Sequence, residues 1–253
     1  MTNIRFCVPK THAELAMEWD KLAAERHRQI ASGEDLSFDH VVVPASLDLF
    51  EAADASVVLD IGSGTGDFTA RLARVAKRVI GVDPSAANIA IARSVCREMT
   101  GVQFVQSTLE EAGVSLRKEK ATAAIAVMSL MTTPDLKVFA RTTATVLERG
   151  ARFIATLCHP CFWPRYWGYD SNPWFSYSKE IFIEAPFVIS GHRTDIRTTH
   201  IHRPLDRYVD AFSDAGFMLE ALVEPMPPVE IQNLYPAPWA FPRFLGLRWV
   251  KAM

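Results

Sequence analysis

The sequence lacks several features that would assign it to a specialised class of protein. No apolar run approaches the roughly 20 residues of a membrane-spanning helix, and the first residues contain no signal-peptide core. Four cysteines in 253 residues are too few for a disulfide scaffold. With 27 basic and 29 acidic side chains, no basic excess exists to drive general binding to nucleic acid or anionic membranes. We therefore expect a soluble, cytoplasmic protein that binds neither nucleic acid nor a membrane.

The most informative segment runs from Val57 to Phe68, where an apolar, β-branched run ends in Asp60 and three glycines follow at alternate positions. Glycine is needed where the backbone turns with positive φ or where a ligand approaches the chain closely. A strand, a glycine turn and a helix N-terminus in succession are typical of a nucleotide-binding edge. The spacing here is G-x-G-x-G, whereas dinucleotide-binding domains use G-x-G-x-x-G.

A second apolar run closes on an acid, since Val79–Val82 precedes Asp83. A carboxylate at the end of a second strand can accept hydrogen bonds from the hydroxyls of a ribose. Together the two motifs predict a nucleoside-containing cofactor. Two alternatives stay open, namely an α/β domain whose glycines only pack helix on strand, and a nicotinamide-binding domain.

Strand and helix patterns alternate through much of the chain, which predicts a parallel sheet with helices on both sides. Residues 1–55 have helical rather than strand periodicity and are expected to form an N-terminal helical cap. Residues 56–157 and 205–253 form the α/β core in this interpretation. Residues 158–204 break the alternation and are expected to form an inserted lid, in which extended runs on either side of residues 190–192 form a β-hairpin.

These motifs together resemble the class I S-adenosylmethionine (SAM) methyltransferases, and more narrowly the small-molecule, methyltransferase-11 type. The further segments that carry the resemblance are Trp19–Ala23, Leu147–Gly150, Leu157–Phe162, His202–Leu205 with Tyr208, and Ala215–Phe217. The resemblance implies a Rossmann-like, doubly wound, seven-stranded sheet whose last strand is antiparallel. It also implies methyl transfer from SAM, which leaves S-adenosylhomocysteine (SAH), to an O or N atom of a small, partly apolar or aromatic metabolite, often in secondary metabolism.

The resemblance places the cofactor along the carboxyl ends of the strands, with Asp60 near the methionine ammonium and Asp83 on the ribose. The residues expected to bind it are Asp60, Gly62, Ser63, Gly64, Asp83, Pro84, Ser107, Thr108, Leu109, Met128 and Ser129. Ser107 stands where relatives usually have an acid that holds the adenine amine, so the adenine contact is expected from Ser107, Thr108 or the backbone of Leu109. The segment around Met128 is apolar, and no metal ion is expected.

His159 is the candidate general base because it follows the fifth strand of the core, where a parallel sheet presents its carboxyl edge to the crevice. A neutral imidazole there could accept a proton from the acceptor. The alternative is that His159 hydrogen-bonds the backbone at the strand end and orients the lid. A dense aromatic segment can shield an apolar acceptor from water. The candidate substrate contacts are Trp19, Trp163, Tyr166, Trp167 and His202.

Cys158 and Cys161 form a C-x-x-C pair, a pattern also found in redox pairs and zinc sites. A redox pair is followed by a helix, and the residues that follow here, Phe162–Pro164, are not expected to begin one. A zinc site needs four ligands, and the sequence has no second C-x-x-C pair and no paired-histidine motif to supply them. Three other functions stay open: a non-catalytic or partner-dependent SAM-binding protein, an NAD-dependent oxidoreductase, and, more weakly, a nucleic-acid methyltransferase. The acceptor, the methylated atom and the oligomeric state, a homodimer included, stay open as well.

Overall fold

The computed structural model describes residues 4–252. Its N-terminal part contains strand β1 (Arg5–Cys7), helix α1 (His12–Ala31), a π-helical turn (Phe38–Val42) and helix α2 (Val43–Phe50). Helix α1 begins at a capping box, in which the side chains of Thr11 and Glu14 each accept a backbone N–H from the other residue. Among the described residues, no helix is both long enough and apolar enough to cross a bilayer.

The middle of the chain alternates strand with helix. Its elements are β2 (Val58–Ile61), α3 (Asp67–Leu72), β3 (Val79–Asp83), α4 (Ala86–Val95), β4 (Val102–Gln106), α5 (Leu109–Leu116), β5 (Ala121–Val127), α6 (Leu136–Val146) and β6 (Leu147–Cys158). The sequence patterns did not predict α5, which begins at a second capping box formed by Thr108 and Glu111. This helix matters for the site because its first turn follows the end of β4.

The C-terminal part adds an insertion and the last two strands of the main sheet. Its elements are α7 (Trp163–Trp167), β7 (Ile181–Ile189), β8 (His192–His202), α8 (Leu205–Asp214), β9 (Phe217–Val223), α9 (Val229–Gln232) and β10 (Phe244–Lys251). Strands β7 and β8 pair antiparallel, so the hairpin predicted around residues 190–192 is present.

The main sheet has seven strands in the order β4-β3-β2-β5-β6-β10-β9. The first five of these strands are parallel to one another, and β10 is antiparallel to both of its neighbours. This arrangement confirms the predicted doubly wound, Rossmann-like fold with an antiparallel last strand. The carboxyl ends of β2 to β6 therefore share one edge, which is where open α/β sheets bind ligands.

Two sequence-based expectations are wrong. The N-terminal segment is not purely helical, because β1 pairs with β7 and forms a second, three-stranded sheet with the hairpin, with Phe6 opposite Ile183. The segment after Cys161 does begin a helix, α7, with Pro164 in its first turn. Proline is accepted there because the first N–H groups of a helix have no intrahelical acceptor.

Helices cover both faces of the main sheet. On one face the Phe153 ring stacks on Phe212 at a centroid distance of 4.7 Å, and Phe212 stacks on Trp249 at 4.5 Å. On the other face Phe68 and Leu72 of α3 pack with Ile125 from the centre of the sheet. Helix α1 packs against α4 and against β8, so it connects the core to the hairpin.

Candidate active site

The glycine turn after β2 is tightly packed on one side and open on the other. Gly62 has a φ of +76°, and a Cβ there would overlap the Ser129 side chain. Gly64 has a φ of +53°, and a Cβ there would meet no heavy atom of the described residues within 4 Å. Side chains other than hydrogen disfavour positive φ. Gly62 is thus required by packing, whereas Gly64 faces space that a ligand can fill.

Asp83, at the end of β3, is bonded directly to this turn. Its Oδ2 accepts the Gly64 N–H at 2.9 Å, and its Oδ1 accepts the Ser85 N–H at 2.9 Å and Asn88 Nδ2 at 3.3 Å. Burial raises the pKa of the Asp83 carboxyl, and the three donors oppose that shift. One carboxylate therefore joins the end of β3, the glycine turn and the start of α4.

Asp60 lies in β2, one residue before its end, and its side chain is buried beside the same turn. It is 1% exposed, and its Oδ2 accepts a hydrogen bond from Thr69 Oγ1 at 2.6 Å. Burial raises the pKa of Asp60 to about 7, with a smaller contribution from the charge of Asp83 and an opposing one from the Thr69 hydroxyl. A buried carboxylate of this kind gains most when a cationic group binds beside it.

The chain leaves β5 through a residue in an unfavourable conformation. Met128 has a φ of +56°, which is uncommon for a residue with a long side chain. Its N–H donates to the Thr156 carbonyl at 2.8 Å, and Ser129 Oγ donates to the Ile61 carbonyl at 2.8 Å. These bonds tie the end of β5 to β6 and to β2, and they hold Met128 and Ser129 at the shared edge.

A large cavity lies at this edge, between the strand ends and α1. Every residue predicted to bind the cofactor lines it: Asp60, Gly62, Ser63, Gly64, Asp83, Pro84, Ser107, Thr108, Leu109, Met128 and Ser129. Trp19, predicted as a substrate contact, lines it too, and so do Leu15 and Ile30 from the same helix. Phe38 and Val127 add further apolar wall. The structure thus assembles one site from residues that are far apart in the sequence.

Arg26 and Glu110, which the sequence analysis did not select, also line this cavity. Arg26 pairs with Asp35 Oδ2 at 2.7 Å through Nη2, while its Nη1 is buried with no partner among residues 4–252. Glu110 has a buried Oε1 without a described partner, and its Oε2 lies 3.6 Å from His12 Nε2. Buried polar atoms are normally satisfied, so both side chains are poised for a ligand. The signal in the sequence that could have identified Glu110 is the capping-box pattern of Thr108 and Glu111, which predicts that a helix begins there and places Glu110 in its first turn.

His159 is not on the wall of this cavity. It is 2% exposed and faces a second, smaller cavity. Its Nε2 lies 2.8 Å from Glu224 Oε1, and its Nδ1 accepts the Cys161 N–H at 3.2 Å. Burial lowers the pKa of His159, although Glu224 opposes that shift. With both ring nitrogens engaged, the geometry favours the alternative in which His159 orients the chain after β6.

The aromatic residues of the insertion pack on one another and on the segment that leads into β10, where the Trp163 ring lies 5.8 Å from that of Phe244. The Trp163 ring contacts Tyr166 at 5.2 Å and Trp167 at 5.4 Å. His202 Nε2 lies 3.0 Å from the Tyr177 carbonyl and is on the second cavity, as is Trp163. None of these predicted substrate contacts is among the described residues that line the large cavity. They lie off the cavity wall, although Trp163 packs against the same apolar cluster as Met128.

Arg203 links the insertion to the large cavity. It is 1% exposed, pairs with Glu180, and donates to the carbonyls of Thr133 at 2.7 Å and Pro134 at 3.0 Å. Thr133 lines the large cavity. A guanidinium with several fixed donors can hold an irregular loop in one conformation, so Arg203 anchors the loop between β5 and α6 to the end of β8.

Comparisons with known proteins agree with this geometry. Residues 58–150 match a family model described as a methyltransferase domain. No curated protein matches the sequence. Among solved structures, an S-adenosylmethionine-dependent methyltransferase from Mesorhizobium loti is 20% identical with a TM-score of 0.58, covering 82% of this chain and 96% of that one.

Two other structural neighbours cover more of this chain. Burkholderia thailandensis 1,6-didemethyltoxoflavin-N1-methyltransferase, with bound 1,6-didemethyltoxoflavin and SAH, is 16% identical with a TM-score of 0.61, covering 99% of this chain and 95% of that one. A chain from the complex of the Haloferax volcanii Trm112 methyltransferase activator with a methyltransferase is 15% identical with a TM-score of 0.64, covering 93% and 98%. At such identities the neighbours show the shared fold. Residues 58–150 therefore match a methyltransferase domain, and the seven-stranded sheet with one antiparallel strand is the Rossmann-like fold of these SAM-dependent methyltransferases.

Proposed function

We propose that this protein transfers a methyl group from SAM to an O or N atom of a small, partly apolar or aromatic acceptor. The observation that carries the proposal is one cavity at the carboxyl edge of the sheet, lined by the glycine turn and by two buried acids, Asp60 and Asp83. Ligands of open α/β sheets bind at this edge. The match of residues 58–150 to a methyltransferase domain supports the same function.

The cavity offers a partner for each polar part of the cofactor. Asp83 would accept hydrogen bonds from the ribose, and Asp60 would bind the ammonium. Glu110 Oε1 and Arg26 Nη1 have no hydrogen-bond partner among the described residues. Glu110 Oε1 would accept a hydrogen bond from the adenine amine, and Arg26 Nη1 would donate one to the carboxylate of the cofactor. The open space at Gly64 would allow the turn to lie against the nucleoside.

When bound, SAM supplies a methyl group activated by a positively charged sulfur. The protein has to align the acceptor with that group and to exclude water. Phe38, Val127 and Met128 give the wall near the end of β5 an apolar character, which suits a partly apolar acceptor. Alignment of this kind can lower a reaction barrier by roughly 7–11 kcal/mol. A neutral amine would release its proton to solvent after the transfer, and a hydroxyl would release it before, so a base supplied by the protein is not essential.

His159 and the aromatic residues of the insertion are better suited to supporting the site than to touching the acceptor. His159 Nε2 is held by Glu224 at 2.8 Å, and Trp163 packs between the insertion and β10 and faces the second cavity. We therefore expect acceptor contacts from α1 through Trp19, which lines the cavity. In this proposal residues 158–204 are a lid that acts on the cavity through α1 and through Arg203 rather than by direct contact.

The proposal also covers the organisation of the chain, the class of acceptor and the location of the protein. We propose a three-part organisation, with residues 1–55 as an N-terminal cap, 56–157 and 205–253 as the cofactor-binding core, and 158–204 as the lid. The Burkholderia neighbour is named for methylation of 1,6-didemethyltoxoflavin and has that molecule bound, which supports a small-molecule acceptor. We further propose that the protein works in the cytoplasm and in secondary metabolism.

A partner-dependent form of the same activity is the second candidate. The neighbour from Haloferax volcanii was solved as a complex with a methyltransferase activator. Ser107 stands where relatives usually have an acid, which favours this alternative, but Glu110 places a carboxylate on the cavity close to the end of β4. Activity of the purified chain alone, measured as SAH release, would exclude a requirement for a partner.

The deciding experiment is calorimetric titration of the purified protein with SAH, with NAD as the control ligand. Micromolar binding of SAH without binding of NAD supports the proposal and justifies a screen of small acceptors by SAH release. Binding of NAD alone would establish the oxidoreductase alternative. The absence of binding by either ligand would contradict the assignment of this cavity to SAM.

A further inference from the structure

Phe187 of the inserted hairpin contacts two residues that line the large cavity. It lies in β7 where the register with β8 shifts between Pro186 and Val188. Such bulges re-aim a side chain and are common next to active sites. The Phe187 ring meets the Trp19 ring edge-on at a centroid distance of 5.9 Å, and the Cζ of Arg26 lies 5.9 Å from its centroid. The hairpin is thus in direct contact with the cavity-facing side of α1.

Arg26 is restrained by three neighbours. Asp35 pairs with its Nη2 at 2.7 Å, and its Cζ lies 5.4 Å from the centroid of Phe38 and 5.9 Å from that of Phe187. Contacts of a guanidinium with aromatic rings are attractive and limit its rotation. The three contacts leave Nη1 buried and unpartnered within the described part of the chain. Arg26 is therefore preorganised to donate a hydrogen bond to a ligand.

The position of Arg26 indicates which part of the cofactor it meets. The next residue, His27, contacts Asp67 Oδ2 at 3.2 Å, and Asp67 follows the glycine turn directly. The Arg26 end of the cavity is consequently the glycine-turn end, where Asp60 also lies. A buried cationic donor is best satisfied by an anionic acceptor. The amino-acid end of SAM carries a carboxylate on the same carbon as the ammonium expected at Asp60.

The geometry points to Phe187 as a positioning residue that fixes Arg26 for recognition of the cofactor's carboxylate. This inference rests on the proposed function, since it assumes that SAM occupies the cavity. The lid then contributes to cofactor affinity without touching the cofactor, because loss of the Phe187 ring frees the Arg26 side chain to move. Such an effect is confined to ligands with a carboxylate, which separates it from general loss of structure.

The test compares two ligands on each protein, SAH and its decarboxylated form, S-adenosyl-3-thiopropylamine. Calorimetry on the wild type, Arg26→Met, Phe187→Leu and the control Phe175→Leu gives a ratio of the two dissociation constants for each protein. Phe175 is a matched control because its ring contacts are to Tyr169, Trp174 and His202 within the insertion and the adjoining strand. Both ligands are measured on the same sample, so an unfolded fraction changes the apparent stoichiometry and leaves the ratio unchanged.

We expect the wild type to prefer SAH by about tenfold or more, the usual effect of a charge-assisted hydrogen bond. Arg26→Met should abolish the preference, Phe187→Leu should reduce it at least about threefold, and Phe175→Leu should retain it. An unchanged ratio in Phe187→Leu, with the preference lost in Arg26→Met, overturns the positioning role. A wild type that binds both ligands equally overturns the carboxylate contact while sparing the proposed function. A wild type that binds neither overturns the proposed function itself.

Discussion

Replacing Asp60 with asparagine should stabilise the ligand-free protein and weaken the binding of SAH. Asp60 is buried, and burial raises its pKa from 3.8 to about 7. An ionised carboxylate in this position is therefore costly without a bound cation. Asparagine has nearly the same shape and keeps an oxygen that can accept the hydrogen bond from Thr69 Oγ1, but it carries no charge.

The magnitude follows from the pKa of Asp60 in the folded and unfolded states. The pKa of Asp60 is higher in the folded protein than in the unfolded chain, so the folded state holds the proton more tightly. The contribution of this group to the free energy of unfolding is therefore most favourable at low pH and is lost as the pH rises from the unfolded pKa to the folded pKa. From about pH 5 to about pH 8 this one group should lower the free energy of unfolding of the wild type by ~2.5 kcal/mol. For a chain of this size the loss corresponds to roughly 5–10 °C in Tm. The Asp60→Asn variant lacks this component of the pH dependence.

The assay is urea unfolding of both ligand-free proteins at the two pH values, since the difference between them isolates Asp60 from other titrating groups. Thr69→Val is the control, because the Thr69 hydroxyl lowers the pKa of Asp60. Its removal should shift the pH dependence to higher pH. Calorimetry at the higher pH should show SAH binding to Asp60→Asn weakened by about tenfold or more, because the ammonium loses a charged partner.

Two results would refute this reasoning. If the difference in stability between Asp60→Asn and the wild type is the same at both pH values, burial does not raise the pKa of Asp60. If SAH binds the variant as tightly as the wild type, Asp60 does not hold the ammonium.

Three further predictions concern other positions of the site. Gly64→Ala should cost about 1–2 kcal/mol of stability because of its positive φ, yet it should abolish SAH binding in calorimetry; unchanged affinity would mean that the space beside Gly64 holds no cofactor. Glu110→Gln should reduce the preference for SAH over S-inosylhomocysteine, whose base lacks the amine, as measured by the ratio of the two dissociation constants. The same ratio in the wild type and in the variant would exclude the contact between Glu110 and the adenine amine. His159→Gln should lower the free energy of unfolding by roughly 1–3 kcal/mol through its lost bonds to Glu224 and Cys161, with SAH affinity and the pH profile of turnover kept; loss of the basic limb of that profile would restore His159 as a base.

Much of the cofactor side of the site could be predicted because its residues are local to strand ends. The glycines of the turn at 62–66 and the acids at Asp60 and Asp83 are set by short-range backbone requirements. Their spacing predicted a nucleoside-binding edge, and in the structure Gly62, Gly64, Asp60 and Asp83 line one cavity, while Gly66 lies against Ala92 of α4. The alternation of strand and helix predicted a parallel sheet with helices on both sides, and the resemblance implied seven strands with an antiparallel last one.

The acceptor side could not be predicted in this way. His159 follows β6 directly in sequence, and that position suggested the crevice, yet its ring is turned away and engaged by Glu224. The aromatic segment after it was predicted to form a substrate wall, but the Trp163 ring packs on Tyr166, Trp167 and Phe244 and lies off the large cavity. Which way a side chain leaves a strand end depends on the partners that the rest of the fold supplies.

The sequence by itself determined the α/β class, the glycine turn and the positions of the two acids at the strand ends, because each depends on contacts between residues close together in the chain. Only the tertiary structure decided that Arg26 and Glu110 join the site with unpartnered buried atoms among the described residues, and that Phe187 reaches α1. These contacts join elements that are distant in sequence. Their geometry is set by packing of α1 and the hairpin against the sheet edge, which no local pattern encodes.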